Sequence, residues 1–174
     1  PPEPAAPACS WCGLLPRGDS PGSGLCRPCA ERGRSFGLAR AAGPYDGALA
    51  RWVSRTKYGR NKALGDALGR WLARRARLLV GLEQYDLLTA VPLHAARLRE
   101  RGFNQSTLLA RAISRQHELP CRTVLRRWRK TEEQAGLTER ARRQNTRDAF
   151  RVCRQRAVED RRVLLVDDVL TTGA

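Results

Sequence analysis

The chain has 174 residues, 41% of them hydrophobic, which suits one core domain with a small appendage and is too apolar for a disordered tail. Charged residues interrupt every apolar stretch before the roughly 18 residues of a spanning helix, so no membrane span is expected. A net charge of +16, from 33 Lys and Arg against 17 Asp and Glu, attracts polyanions: nucleic acid, anionic lipid or phosphorylated small molecules. Only Lys57, Lys62 and Lys130 are lysines; arginine carries the rest. Between Arg122 and Arg162 there are 14 basic and 6 acidic residues, half of the whole excess, which fits a solvated surface as well as a polyanion site. Residues 1–8 lack the basic-then-apolar layout of a secretory signal, and a cytoplasmic setting is expected.

Residues 1–40 are rich in Pro, Gly and Cys and carry almost no apolar period, as expected of a small module without its own core. Cys9-x-x-Cys12 and Cys26-x-x-Cys29 are two knuckles separated by 13 residues, a spacing at which four thiolates can surround one tetrahedral Zn²⁺. Four cysteines leave no open position on the metal, so a structural role is expected. Cys121 and Cys153 read as ordinary small core residues. Residues 44–82 read as helical, with Leu64, Leu68, Trp71, Leu72 and Leu79 at near-helical spacing.

From residue 83 to 174 strands and helices alternate. The run from Asp86 to Leu93, broken by Pro92, suits a buried strand feeding a loop. Asn104 or Ser106 caps a predicted helix through His117, with Leu108, Leu109, Ala112 and Ile113 on its inner face. Short strands are expected over Val124–Trp128 and Ala149–Cys153, around an arginine-rich connection. Val163–Val166, four branched apolar residues, reads as a strand covered on both faces. The alternation predicts an α/β domain with a mainly parallel sheet flanked by helices, and ligand beyond the carboxyl ends of its strands.

That last strand runs into Asp167-Asp168-Val169-Leu170-Thr171-Thr172-Gly173-Ala174. Two carboxylates at a strand end can accept from vicinal hydroxyls or hold a Mg²⁺ shell. The hydroxyls and backbone N–H groups of a Thr-Thr-Gly turn can wrap a phosphate. Acids and phosphate donors a few residues apart suit a ribose 5-phosphate. A Walker-type reading has no upstream phosphate loop to support it.

The stretch Val163–Ala174 resembles the phosphoribosyl-pyrophosphate (PRPP) motif of type I phosphoribosyltransferases. More narrowly, Val91-Pro92-Leu93-His94 with Arg97 and Arg101-Gly102-Phe103-Asn104-Gln105 resembles the ComF family, a competence-associated branch. So does Lys130-Thr131-x-x-Gln134 followed by Arg140, Arg143, Asn145 and Ala149-Phe150. An N-terminal cysteine zinc ribbon is common in that family and matches Cys9, Cys12, Cys26 and Cys29. The resemblance implies that Asp167 and Asp168 hold the ribose hydroxyls, directly or through Mg²⁺. It implies that Thr171, Thr172, Gly173 and Ala174 cradle the 5-phosphate. Arg97 and Arg101 would face pyrophosphate, Gly102 would allow close backbone approach, and His94 could donate to phosphate. Residues Lys130 to Asn145 would form a mobile flap whose Lys130, Arg140 and Arg143 neutralise the leaving group and exclude water.

The resemblance implies an enzyme that transfers phosphoribosyl from Mg²⁺–PRPP to a nitrogen nucleophile, in DNA uptake or nucleotide metabolism. The alternative is a non-catalytic factor of the competence machinery that binds single-stranded DNA, with arginines interleaved with Trp11, Trp52, Trp71 and Trp128. Binding that weakens with salt would mark it. A ligand-free zinc scaffold is a third reading, in which PRPP leaves the melting temperature unmoved. The tryptophans at helical spacing are otherwise expected in the core. There is no Met, and the stretch ends inside the phosphate turn. The sequence therefore reads as part of a longer protein, holding PRPP poorly on its own.

Overall fold

Capping and glycine placement divide the first helical region in two. The computed structural model describes residues 8–13, 24–32, 35–129 and 139–170. A short α1 (Arg27–Arg32) carries Cys29, and α2 (Gly47–Tyr58) stops at Gly59. Asn61 then caps α3 (Lys62–Val80), its Oδ1 accepting from the Leu64 N–H at 2.9 Å.

The face that α3 buries differs from the leucine stripe expected. Leu68 is buried, but Leu64, Trp71, Leu72 and Leu79 are only partly so. The seam against α5 (Gln105–His117) is lined by Gly65, Gly69, Ala73 and Ala76, all buried. Small residues let two helix backbones approach closely, and a count of apolar side chains overlooks them. On α5 the expectation holds: Asn104 is the cap, accepting from the Ser106 N–H at 3.0 Å, and Leu108, Leu109, Ala112 and Ile113 are buried. His117 Nε2, 2.8 Å from the Ala73 carbonyl oxygen, ties the far end of this pair.

Strands β1 (Leu87–Ala90) and β4 (Val163–Val166) pair in parallel, with Leu87 opposite Val163 and Ala90 opposite Val166. The other edge of β1 meets the chain at Cys121, also in parallel. Leu88 and Val166 face the α3–α5 side and join one core with Leu68, Ala73, Leu109 and Ile113. This is a mixed α/β arrangement with a small parallel sheet. The second sheet is antiparallel: β2 (Leu125–Arg127) pairs with β3 (Phe150–Val152). The expected arginine-rich connection contains α6 (Glu139–Thr146), so it is not wholly a loop. Arg129 donates to the Asn145 and Arg147 carbonyls at 3.2 and 2.6 Å, which joins the two ends of that connection.

Three burial expectations are corrected. Leu165 is 53% exposed, so β4 is not covered on both faces. Trp52 and Trp128 are exposed at 48% and 59%, outside the core. Cys153 is exposed and Cys121 only partly buried, so neither is the enclosed small residue expected. Among the described residues no helix is long and apolar enough to cross a membrane.

Candidate functional site

The four N-terminal cysteines form a small core of their own, with Trp11, Leu25 and Phe36 packed around them. Their sulfurs all lie within 4.8 Å of one another, and Cys12 Sγ is 3.7 Å from Cys26 Sγ. A tetrahedral ion with Zn–S bonds of about 2.3 Å sets its sulfurs about 3.8 Å apart, so the group can hold a metal ion such as zinc. None of the four is joined in a disulfide. Burial pushes the Cys9 thiol up, but N–H groups of Cys26, Cys12 and Trp11 outweigh it and lower it to about 6. Burial raises the Cys26 thiol, only partly countered by the Cys29 amide. A thiolate stabilised by backbone N–H groups beside a dehydrated thiol is a set poised to exchange protons for a cation.

The second cluster lies beyond the carboxyl ends of β1 and β4. The Val91 N–H donates to the Val166 carbonyl at 2.9 Å, which carries the pairing past the last strand residues. Asn104 Nδ2 donates to the Val91 carbonyl at 2.9 Å and so docks the start of α5 against that loop. From this position Ser106 Oγ donates to Asp167 Oδ1 at 2.8 Å, and the Asp168 N–H reaches the same oxygen at 2.9 Å. Lys57, from the end of α2, places Nζ 2.9 Å from Asp168 Oδ1. Among the described residues, nothing bonds to the second oxygen of either carboxylate. The buried Nε2 of Gln105, one residue before Ser106, likewise has no partner among them.

A search of curated proteins finds relatives along almost the whole chain. DNA utilization protein YhgH of Escherichia coli O6:H1 (strain CFT073) is 33% identical over 183 residues, covering 95% of this chain and 79% of the relative. The protein of that name from strain K12 is 32% identical with the same coverage. The chain belongs to the ComF family. Competence protein F of Haemophilus influenzae is 32% identical over 154 residues, or 86% of this chain and 67% of the relative. No protein-family model matches the chain, and no solved structure does.

In this ComF protein the expected site residues fall into three groups. Asp167 and Asp168 are brought together, with Arg97 in the same electrostatic neighbourhood. The Arg127 guanidinium is lowered by burial first and by repulsion from Arg97 second, with Asp167 acting the other way. Arg101 lies on α4 (Ala95–Arg101), its guanidinium over the Tyr58 ring at 5.3 Å. Two residues have local structural duties. Gly102 closes α4 at φ 78°, its N–H donating to the Leu98 carbonyl at 2.9 Å; a Cβ there would meet nothing within 4 Å. His94 caps the same helix, Nδ1 accepting from the Ala96 N–H at 3.3 Å. Lys130, Thr171, Thr172, Gly173 and Ala174 lie outside the described residues, as do the side chains of Arg140 and Arg143.

Lys57, Ser106 and Arg127 are the residues that sequence reasoning missed. Only the rarity of lysine hinted at the first, and Ser106 registered as a possible cap.

The Asp167 carboxyl is pushed up to about 6, by loss of hydration first and by the adjacent Asp168 charge second. Ser106, the Asp168 amide and Lys57 pull the other way. A carboxyl raised in the fold stabilises it only while protonated. That contribution is complete below 3.8, its ordinary value, and is lost as pH rises through about 6. Asp167→Asn removes the charge, so the ligand-free variant should be the more stable above that window, by about 1 kcal/mol because the residue keeps an exposed face. The difference should vanish as pH falls to the bottom of the window. Thermal unfolding at several pH values checks it, and a pH-independent gap would contradict it.

Proposed function

We propose that this chain carries the PRPP site of a phosphoribosyltransferase-like ComF protein that acts in competence or DNA use in the cytoplasm. The observation that carries this reading is the acid pair at the joint carboxyl end of β1 and β4. One oxygen of each carboxylate is held and the other is unengaged among the described residues. Such oxygens suit the two ribose hydroxyls or a Mg²⁺ shell, and hard oxygen donors are what Mg²⁺ takes. In this reading Arg97 and Arg101 are the proposed donors to the anionic ligand, supported by the electrostatic link of Arg97 and Asp167 through Arg127. Thr171, Thr172, Gly173 and Ala174 are the proposed cradle for the 5-phosphate, and Lys130 and Arg143 the proposed partners of pyrophosphate.

When bound, Mg²⁺ would neutralise pyrophosphate charge. The chain's own part is to orient the sugar and to place positive charge where the leaving group departs. The acceptor is a nitrogen nucleophile in this reading. Zinc on Cys9, Cys12, Cys26 and Cys29 is its structural ion, and the reported names of the relatives, DNA utilization protein and competence protein, support the biological setting. The single-stranded DNA alternative gains one observation, Trp128 exposed with Arg151 stacked over it at 4.9 Å, and the salt dependence of binding is its test.

Calorimetric titration of the full-length protein with Mg²⁺–PRPP should show saturable binding. Asp168→Asn should weaken it by about tenfold or more, the loss of one charged acceptor. An absence of heat for wild type, or equal affinity in the variant, would remove the proposal.

A further inference from the structure

Two adjacent residues at the end of α2 reach Asp168 and Arg101 separately. Lys57 Nζ is 2.9 Å from Asp168 Oδ1, and the pair is largely enclosed, with 19% and 14% of the side chains exposed. Tyr58 presents its ring to the Arg101 guanidinium at 5.3 Å. The turn that bears them is fixed. Thr56 is buried and donates its hydroxyl to the Trp52 carbonyl at 2.9 Å, and the Gly59 N–H donates to the Arg55 carbonyl at 2.9 Å.

An enclosed ion pair contributes little net stability, because both charges lose their hydration. Its effect on orientation is larger. Lys57 occupies one oxygen of Asp168, which limits rotation of the carboxylate and keeps the other oxygen for a ligand. Stacking on Tyr58 has the same logic. It sets the plane of the guanidinium without consuming any N–H donor, so the donors stay available for an anion.

We propose that Lys57 and Tyr58 are positioning residues of one element. Lys57 orients Asp168 toward the sugar hydroxyls, Tyr58 orients Arg101 toward pyrophosphate, and one helical turn thereby sets the spacing between sugar and leaving group. This rests on the PRPP reading above.

The test divides the ligand. The full-length protein is titrated separately with ribose 5-phosphate and with inorganic pyrophosphate, each with Mg²⁺, and with PRPP as reference. Lys57→Met should weaken ribose 5-phosphate by about tenfold and leave pyrophosphate unchanged. Tyr58→Leu should weaken pyrophosphate by roughly threefold and leave ribose 5-phosphate unchanged, while Tyr58→Phe, which keeps the ring, should restore it. A purely structural role would reduce both fragments together. Melting curves of the ligand-free variants establish folding. Should Lys57→Met fail to fold, the split at Tyr58 decides, since that residue is 62% exposed. Wild type that binds neither PRPP nor its fragments overturns the PRPP reading and this inference with it. Wild-type binding without the split, both fragments falling together or neither falling, overturns the inference alone.

Discussion

Removing the metal from Cys9, Cys12, Cys26 and Cys29 should release the N-terminal segment from its fold while the α3–α5 core stays intact. Among the described residues the segment's apolar surroundings are Trp11, Leu25 and Phe36, and its hydrogen bonds include Trp11 Nε1 to the Phe36 carbonyl at 2.6 Å, the Ala39 N–H to the Trp11 carbonyl at 2.9 Å, the Ser10 N–H to the Gly24 carbonyl at 3.0 Å and Arg40 Nη2 to the Ser10 carbonyl at 3.0 Å. Structural zinc in small cysteine modules supplies roughly 10–16 kcal/mol of apparent binding free energy, far more than these contacts can replace. The cysteine cluster and the helix–sheet core are separate groups of buried residues, so loss of one need not loosen the other. One zinc per chain is therefore expected by atomic absorption under reducing conditions. Cys26→Ser, or a strong chelator, should abolish it and expose residues up to Arg40 to proteolysis. The main thermal transition should move little. Metal-free wild type with the same protease resistance would contradict the assignment.

What the sequence made legible was local chemistry. Asn104 announces the start of α5 through its capping oxygen, and Pro92 ends β1 as a residue that cannot continue the strand. The pairs Cys9/Cys12 and Cys26/Cys29 encode a ligand set through spacing alone. The acid pair was legible for the same reason, since a run of branched residues delivers Asp167 and Asp168 to a strand end. The partners of that pair were not. Lys57 and Ser106 come from two different helices, and the sequence separation to the acids leaves no periodic trace. Leu165 shows another limit: apolar composition marks a strand but cannot say whether both faces are covered. Trp52 and Trp128 make the same point, because an aromatic residue at helical or strand spacing can equally face outward. The antiparallel pairing of β2 with β3 also needed tertiary information, since two three-residue strands carry no directional signal.

Gly69→Leu should destabilise the protein by about 3 kcal/mol, read as a fall in melting temperature or denaturant midpoint. A Cβ at Gly69 would lie 2.9 Å from Ala112 Cβ and 3.3 Å from the Leu108 carbonyl oxygen. Neither can swing aside, because one is a short side chain and the other is backbone. Gly65 is crowded as well: its Cβ would come 2.7 Å from Leu108 Cδ1, the movable end of a flexible side chain, and 3.1 Å from Cγ2 of Thr56, which is buried and held by its hydroxyl on the Trp52 carbonyl. Alanine at either position gains about 1 kcal/mol in helix propensity, and at both positions that gain is lost to the crowded seam. The consequence extends to the acid pair. The helix that Gly69 would displace carries Asn104, docked on Val91, and Ser106, bonded to Asp167. Gly69→Leu should thus weaken Mg²⁺–PRPP binding as well as stability, although no atom of Gly69 belongs to the site. A Gly69→Leu protein that melts with wild type would mean that α3 and α5 do not meet as closely as their glycines allow.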